Sequence, residues 1–409
     1  MSIQHGIRNN LSQFTLQLVQ VFLVGLTIGM MRTVVPALAE SDFGLQQRQF
    51  TLLASFVVVF GVVKAVMNLL AGHWADRFGR KRVLIAGWLL ALPVPWLIQY
   101  APGWNWIVAA TLLLGVQQGL CWSMALNSKL DLTRPEQKGL VNGLNEFSGY
   151  AAVAAAGVLT AWLAERMGAR AGLFWFGNAV IVTGLVLALV WVRETRHWAH
   201  GQASGPSTES SGFWRLFRLG SWENKTLMSL SQAGLVEKFA DALVWIFMPV
   251  FLVARGVDLV TASGIIAVYG LVWGGGQLIT GPLSDRLGRK PLITYGMALC
   301  GTGLILVPLS HSPLLWSLEA ALTGMGMAML YPTLGSAVAD FSPPAQRSTL
   351  LGVYRFWRDF GYAVAALAMG LLAQWSQNLD TPFYLAGIAL MLSAMVVVRH
   401  LPHQAAHRA

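Results

Sequence analysis

The stretches GHWADRFGRKR (72–82) and GPLSDRLGRKP (281–291) repeat one charged phrase, and each directly follows an apolar run. They lie 209 positions apart, so that Asp76 corresponds to Asp285. The same offset relates residues well outside the two stretches, which indicates that one half of the chain duplicates the other. The further matches are Arg80 with Arg289, Gly115 with Gly324, Asp131 with Asp340, and PEQKG (135–139) with PAQRS (344–348).

The composition around these motifs is that of a membrane protein. Of the 409 residues, 55% are hydrophobic and 11% are charged, whereas a soluble domain averages about 25% charged residues. Apolar runs of about 20 residues, long enough to cross a hydrocarbon core, recur along the chain. We predict an all-α membrane protein of twelve transmembrane helices, arranged as two pseudo-symmetric six-helix bundles. The predicted spans are 14–38, 50–72, 83–101, 105–130, 140–164, 171–192, 226–253, 260–283, 291–310, 313–338, 348–374 and 382–400.

A polar stretch separates the sixth predicted span from the seventh. Residues 194–224 are rich in Ser and Gly, which is typical of a flexible linker. The sequence therefore predicts an N-terminal bundle (1–193), a cytoplasmic linker (194–224) and a C-terminal bundle (225–409). Within the linker, FWRLFR (213–218) mixes aromatic residues with Arg, so it either lies on the membrane surface or belongs to the flexible linker.

The placement of lysine and arginine predicts the orientation. With both termini in the cytoplasm, most of the 28 basic residues lie on the cytoplasmic side, which is the positive-inside pattern. This pattern accounts for the net charge of +10 without a nucleic-acid partner. A chain of this length with short loops is expected in the inner membrane of a bacterium. The basic residues expected outside are Arg48, Arg166, Arg170 and Arg255.

In a chain of six plus six spans, the two charged stretches resemble the signature loops of the major facilitator superfamily. GHWADRFGRKR resembles the loop between helices 2 and 3, and GPLSDRLGRKP its counterpart between helices 8 and 9. The resemblance covers essentially the whole chain and implies a monomeric secondary transporter, not an enzyme, that moves a small solute by alternating access. The sequence contains no G-x-x-x-x-G-K-[ST] phosphate loop, so we expect a gradient, and not ATP bound by this chain, as the energy source. We also expect no cofactor and no metal.

The resemblance also implies a cytoplasmic gate. In the family, the signature Asp lies near the start of helix 11 and the basic residues lie near the end of helix 4, where Asp131 is the matching acid. By symmetry, Asp285, Arg289 and Asp340 form a second set near helix 5. These clusters would hold the halves together in one state and break in the other, unless the charges serve only to orient the chain. The predicted gate residues are Gly72, Asp76, Arg77, Gly79, Arg80, Asp131, Gly281, Asp285, Arg286, Gly288, Arg289 and Asp340.

Ionisable residues inside the spans are expected to be functional, because a charge there costs at least about 2.5 kcal/mol on insertion scales. Lys64 lies near the middle of its span, and helices 2 and 11 are neighbours in the family's fold. We therefore predict a Lys64–Asp359 pair, either as a structural lock or as a switch. Alternatively, Arg355 and Asp359 satisfy each other on one helix face. Arg32 either binds substrate or pairs with Asp241.

Two sets of candidate residues follow from these charges. Glu237 and Asp241 share a face of helix 7, which suits a proton carrier, unless Lys238 neutralises one of them. Glu146 has either a coupling role or a structural hydrogen-bonding role. The predicted proton-coupling residues are Glu146, Glu237, Asp241 and Asp359. The predicted substrate-binding residues are Arg32, Lys64, Gln118, Trp122, Asn145, Asp241, Tyr331 and Arg358.

The sequence leaves three functions open. The first is a proton-coupled exporter of drugs or amphipathic metabolites, although Thr111 stands where such exporters carry an Arg, and helix 5 (142–157) lacks their proline. The second is a carrier of small organic anions that uses Arg32, Lys64 and Arg358. The third is a non-transporting membrane receptor.

Overall fold

The computed structural model describes residues 4–43, 50–201 and 212–402, and the side chains at 32–41, 50–57, 199–201, 259–260, 263 and 345 are left aside. Throughout these residues the chain is helical, and they contain no β-strand. We number the twelve long helices α1 to α12. They are α1 (Leu11–Ser41), α2 (Phe50–Phe78), α3 (Arg80–Ala91, continued as Val94–Gln99), α4 (Trp104–Leu132), α5 (Lys138–Met167), α6 (Ala169–Val190), α7 (Lys225–Ala242, continued as Met248–Ala254), α8 (Leu259–Leu287), α9 (Arg289–Leu306), α10 (Pro313–Asp340), α11 (Arg347–Ser376) and α12 (Thr381–His400).

Each predicted span coincides with one of these helices, and the all-α prediction is confirmed. Several helices are longer than the apolar run that predicted them, because charged residues extend them beyond the span. Two helices are interrupted. Pro93 and Pro95 lie at the break in α3, where a prolyl ring removes a backbone donor. In α7 a π-helical turn, Leu243–Phe247, separates the two parts.

Ten helices in the described part of the chain are long and apolar enough to cross a membrane. The two long helices outside that group are α7 and α11. They carry most of the charges that the sequence placed inside spans, including Glu237, Asp241, Arg358 and Asp359. Their low hydropathy is therefore caused by their candidate functional residues.

The chain divides into two compact units. The first comprises Met1–Arg134, Phe147–Thr208 and Pro344–Gly352, and the second comprises Pro135–Glu146, Glu209–Pro343 and Val353–Ala409. The first turns of α5 thus belong to the second unit, and those of α11 belong to the first. The predicted sequence halves stay a prediction, and residues 202–211 of the predicted linker lie outside the described residues.

The two units repeat one packing pattern, as expected for a duplicated chain. In the first unit, α4 packs against α1, α2 and α3, while α6 packs against α1 and α3. In the second unit, α10 packs against α7, α8 and α9, while α12 packs against α7 and α9. Each partner pair in one unit therefore has its counterpart six helices later.

Trp88 anchors the interior of the first unit. Its side chain is fully buried on α3, and its indole N–H donates to Gln20 Oε1 over 2.7 Å. The Gln20 amide in turn donates to the carbonyl oxygen of Gly184 on α6 over 3.1 Å. The three helices approach closely here because Gly184 has no Cβ, and a Cβ would overlap the indole ring.

We expect Gly184→Ala to destabilise the protein by about 1–3 kcal/mol, because the added methyl forces the Trp88 indole out of its site. The matched control is Gly274→Ala, since a Cβ at Gly274 meets no atom within 4 Å. Scanning fluorimetry of the detergent-purified variants measures the effect as a lower apparent melting temperature. Equal melting temperatures for the two variants would contradict the packing argument.

Candidate functional site

Asp76 caps the start of α11. Its Oδ2 atom accepts hydrogen bonds from the backbone N–H of Thr349 over 3.1 Å and from the Thr349 hydroxyl over 2.7 Å. The first N–H groups of a helix have no partner within the helix, and they carry a partial positive charge. A carboxylate at this position satisfies both requirements. The prediction that Asp76 lies near the start of helix 11 agrees with this geometry.

Arg80 joins three parts of the first unit through a buried guanidinium. Its Nε lies 2.8 Å from Asp131 Oδ2 at the end of α4, and its Nη1 lies 3.3 Å from Asp76 Oδ1. Its Nη2 donates to the Ser348 hydroxyl over 2.9 Å. The fork of an arginine can engage two acceptors at once, which a lysine cannot do. Asp131 is therefore the acid that meets Arg80, as the sequence predicted.

Glu194, which sequence reasoning did not select, completes this cluster. Its carboxylate accepts from the backbone N–H groups of Arg80 and Lys81 over 2.9 and 3.1 Å, so it caps the start of α3. It also accepts from the N–H groups of Thr195 and Arg196. The sequence signal that could have identified Glu194 is an acidic residue directly after the sixth predicted span, at the start of the segment that we predicted to be a linker.

The second unit contains an equivalent cluster. Asp285 accepts from the backbone N–H groups of Gly139 and Leu140 over 2.9 and 3.1 Å, and so caps the start of α5. Arg289 lies 2.7 Å from Asp285 and 2.9 Å from Asp340. Lys138, which was not predicted, lies 2.8 Å from Asp340. Because Gly139 and Leu140 correspond to Ser348 and Thr349 at the 209-residue offset, the two clusters are related by the duplication.

The remaining predicted gate residues form three pairs related by the duplication. Gly72 and Gly281 permit close helix contact, since a Cβ would overlap the carbonyl oxygen of Ser348 at the first position and would approach that of Gly139 at the second. The side chains of Arg77 and Arg286 are exposed and lie outside the clusters. The Arg77 guanidinium lies over the ring of Phe78 at 5.2 Å. Gly79 and Gly288 have φ angles of 95° and 88° at the turns before α3 and α9.

Lys238 is the centre of a buried charge cluster in the second unit. Its Nζ donates to Asp241 Oδ2 over 3.2 Å and to the Tyr331 hydroxyl over 2.9 Å, and lies 3.5 Å from Glu237 Oε1. The ammonium also lies 4.2 Å from the centre of the Tyr331 ring and 4.9 Å from that of Tyr362. Lys238 therefore pairs with Asp241 and also contacts Glu237. This arrangement corresponds to the alternative in which Lys238 neutralises one of the two carboxylates.

The two carboxylates beside Lys238 differ in the number of hydrogen bonds that they accept. Asp241 accepts from the indole N–H of Trp245 over 2.8 Å, and also from the hydroxyl of Tyr362. Glu237 is fully buried, and neither of its carboxylate oxygens accepts a hydrogen bond from the residues described. Of the two, Glu237 is the carboxylate with unmet hydrogen-bonding capacity.

Arginines of α11 form two further ion pairs, one within α11 and one with Glu146 on α5. The Arg358 Nε lies 3.2 Å from Asp359, and the Arg355 guanidinium lies 3.9 Å from Glu146 Oε1. Glu146 also accepts from the side-chain amide of Asn145 over 2.8 Å. All of these charged side chains are buried, which makes pairing necessary in a membrane span.

The predicted residues of the first unit form a separate group. Lys64 is buried on α2, and its ammonium lies 5.7 Å from the ring centres of both Phe60 and Trp122. Gln118 instead binds α1, because its amide donates to the Val24 carbonyl oxygen over 2.7 Å. The side chain of Arg32 lies outside the described residues. The predicted pairs Lys64–Asp359 and Arg32–Asp241 stay predictions.

The two units place related residues in related aromatic groups. At the 209-residue offset, Phe60, Lys64 and Trp122 correspond to Tyr269, Trp273 and Tyr331. In the second unit the rings of Trp273 and Tyr331 lie 5.2 Å apart, and those of Tyr269 and Trp273 lie 5.8 Å apart. The first unit has a cation in the middle position, whereas the second receives its cation from α7. Extending the offset into the spans could have identified this relation from the sequence.

Comparison with known proteins places this arrangement in a family. The sequence model described as "Major Facilitator Superfamily" matches residues 18–318 and 230–409. Among curated relatives, the probable 4-methylmuconolactone transporter of Cupriavidus pinatubonensis is 26% identical over 366 residues, which cover 82% of this chain and 81% of the relative.

Solved structures share the fold at low sequence identity. The human organic anion transporter MFSD10 superposes with a TM-score of 0.76 at 16% identity, covering 94% of this chain and 99% of MFSD10. The proton:xylose symporter XylE, bound to a bromo-deoxyglucose, superposes with a TM-score of 0.77 at 15% identity, covering 96% and 97%. At these identities the superpositions establish the fold alone.

We expect Gly79→Ala to destabilise the first-unit cluster more than Gly168→Ala destabilises its own turn. Both glycines combine a positive φ, 95° and 85°, with an extended ψ, a conformation that costs an alanine about 1–3 kcal/mol. Only at Gly79 would the added Cβ overlap a neighbour, the Glu194 carboxylate, whereas Gly168 has no atom within 4 Å of that position. The difference in apparent melting temperature measures the contribution of the Glu194 cap. Equal losses in the two variants would contradict it.

Proposed function

This chain belongs to the major facilitator superfamily and is a multi-pass membrane transporter of a small solute; we propose that it couples this solute to protons through Glu237. Family membership favours a transporter over a non-transporting receptor, and members of this family are not enzymes. The proposal concerns what the family does not specify, namely the coupling ion, the residue that carries it and the class of solute.

The charge balance around Lys238 carries the proposal. The cluster contains three cations and four acids. Three acids have a cationic partner of their own, and Glu237 is the acid in excess. The cations are Lys238, Arg355 and Arg358, and the acids are Glu146, Glu237, Asp241 and Asp359.

A proton on Glu237 makes the cluster neutral. An ionised carboxylate that is buried without hydrogen bonds costs several kcal/mol, and the hydrocarbon region offers no water to reduce that cost. The only cation within 4 Å of Glu237 in the described residues is Lys238, which Asp241 also holds. Gain and loss of one proton at Glu237 therefore change the partners available to Lys238. This connects proton binding to the arrangement of α7.

The ion-pair clusters at Arg80 and Arg289 suit a gating role in an alternating-access transport cycle. We propose that the halves 1–193 and 225–409, joined by the linker 194–224, alternate in access and that the clusters at Arg80 and Arg289 form in one state and open in the other. The support is that each cluster caps the first turn of a long helix through a carboxylate. We place the transporter as a monomer in a bacterial inner membrane, with both termini in the cytoplasm.

Two substrate classes remain as proposals. Proton-coupled export of drugs or amphipathic metabolites is favoured by the signature loops. However, the hydroxyl of Thr111 donates to the carbonyl oxygen of Ile107 in its own helix, and no arginine occupies that position. Small organic anions are the second class. The buried cations of the second unit, Lys238, Arg355 and Arg358, favour them.

We expect Glu237→Gln to abolish proton binding by the transporter. Glutamine keeps the size of the side chain and mimics the neutral acid, so that the fold is retained while the proton site is lost. The measurement is the transient current of proteoliposomes on a solid-supported membrane after a pH jump, which requires no substrate. The wild type should give a charge displacement, and the variant should give the signal of protein-free liposomes.

The matched control is Glu165→Gln, which alters an exposed acid outside the cluster and should leave the transient current intact. A full transient current in Glu237→Gln would contradict the assignment of the proton site to Glu237.

A further inference from the structure

We propose that Lys238, Trp245 and Tyr362 form a carboxylate-binding site, that Asp241 fills this site in the conformation described here, and that the substrate is a small organic anion with a planar body. The inference rests on the proposed function in one respect: the same proton-coupled carrier moves the anion. It adds the substrate class and the residues that recognise it.

Three donors converge on the carboxylate of Asp241. The Lys238 ammonium donates to Oδ2 over 3.2 Å, the Trp245 indole N–H donates to Oδ1 over 2.8 Å, and the Tyr362 hydroxyl donates to Oδ2. They combine one charged and two neutral donors, and both oxygens are engaged. An ion pair assisted by hydrogen bonds is the strongest form of carboxylate recognition. Any carboxylate that replaced Asp241 would meet the same three donors.

The local shape of α7 brings one exposed residue, Trp245, to the carboxylate of Asp241. The π-helical turn Leu243–Phe247 begins two residues after Asp241 and contains Trp245. Such turns are frequent at functional sites because they widen the helix and redirect its side chains. Trp245 is 43% exposed and Tyr362 is half-buried, whereas Lys238 is fully buried. The carboxylate of Asp241 thus lies between the buried cation and the exposed edge of the site.

An aromatic wall extends from this site and predicts the body of the ligand. The rings of Trp245 and Tyr269 meet edge to face, with their centres 6.4 Å apart. Further ring contacts join Tyr269 to Trp273 and Trp273 to Tyr331. Tyrosine and tryptophan provide large flat surfaces that bind apolar planar groups. Tyr269, Trp273 and Tyr331 are buried against one another, whereas Trp245 is 43% exposed. The exposed Trp245 ring, together with the donors, therefore favours a ligand with a carboxylate at one end and an aromatic or unsaturated body.

The proton site lies beside the anion site, which explains how the two are coupled. An ionised Glu237 would place a competing negative charge 3.5 Å from Lys238. A proton on Glu237 removes that competition, so the protonated carrier binds the anion more tightly, and the coupling is reciprocal. Among the described residues, the charged and titratable groups near Lys238 include Glu237 and Asp241 on α7 and Tyr331 on α10. On α11 they are Tyr354, Arg358 and Tyr362.

The test is isothermal titration calorimetry of the full-length protein with benzoate and with benzamide, its neutral counterpart. We expect benzoate but not benzamide to bind the wild type. Asp241→Asn removes the internal anion and should bind benzoate at least about tenfold more tightly. Lys238→Met should show no benzoate binding. The control Asp380→Asn, in an exposed pair with Arg255, should bind as the wild type does.

The outcomes separate this inference from the proposed function. Unchanged or weaker binding in Asp241→Asn overturns the inference, as does benzoate binding by Lys238→Met. If Asp241→Asn does not fold, the conservative Lys238→Arg decides: retained binding there, with loss in Lys238→Met, supports the site. Loss of benzoate binding in every variant and in the wild type overturns the anion site, while the pH-jump current still reports on Glu237 independently.

Discussion

The cost of placing charge in a hydrocarbon environment governs this structure. The cluster around Lys238 contains seven buried charged side chains, and six of them form three ion pairs. The pairs have different strengths, because their closest atoms lie 3.2 Å apart for Lys238–Asp241 and 3.9 Å apart for Arg355–Glu146. An arrangement of this kind is stable only while every charge keeps a partner. Any event that changes one charge therefore requires the others to rearrange.

The duplication explains what the two halves share, and its differences indicate where the function lies. The clusters at Asp76 and Asp285 share one arrangement, since each carboxylate accepts from backbone N–H groups at the start of a long helix and each lies beside an arginine four residues later. The aromatic groups diverge instead, with Lys64 in one half and Trp273 in the other. Under the proposed function, the shared clusters serve the gating motion of both halves, and the divergent aromatic groups serve an asymmetric substrate.

Much of the fold and part of the site could be predicted from the sequence. Hydropathy predicted twelve helices, and the 209-residue repeat predicted that Asp131 and Asp340 meet Arg80 and Arg289. Glu194 was missed, because a cap contributed from 114 residues away leaves no local pattern.

The π-helical turn in α7 and the donors around Asp241 were also beyond sequence reasoning. Both depend on how α7 packs against α10 and α11, which is a tertiary property. The sequence did select Asp241 and Tyr331, because a polar residue inside an apolar span is conspicuous without any structure. It passed over Trp245 and Tyr362 among many aromatic residues, since only their hydrogen bonds to Asp241 distinguish them.

Lys238 is suited to switching because no single partner satisfies it completely. Its ammonium has three donor hydrogens and meets Asp241, Tyr331 and Glu237 at distances between 2.9 and 3.5 Å. A ligand shifts a conformational equilibrium only through a difference in its affinity for the two states. A proton on Glu237 weakens one of these contacts, and an anion replaces another, so each acts on the same ammonium. Coupling then requires no long pathway, because proton binding at Glu237 and anion binding both change the partners of one ammonium on an interrupted helix.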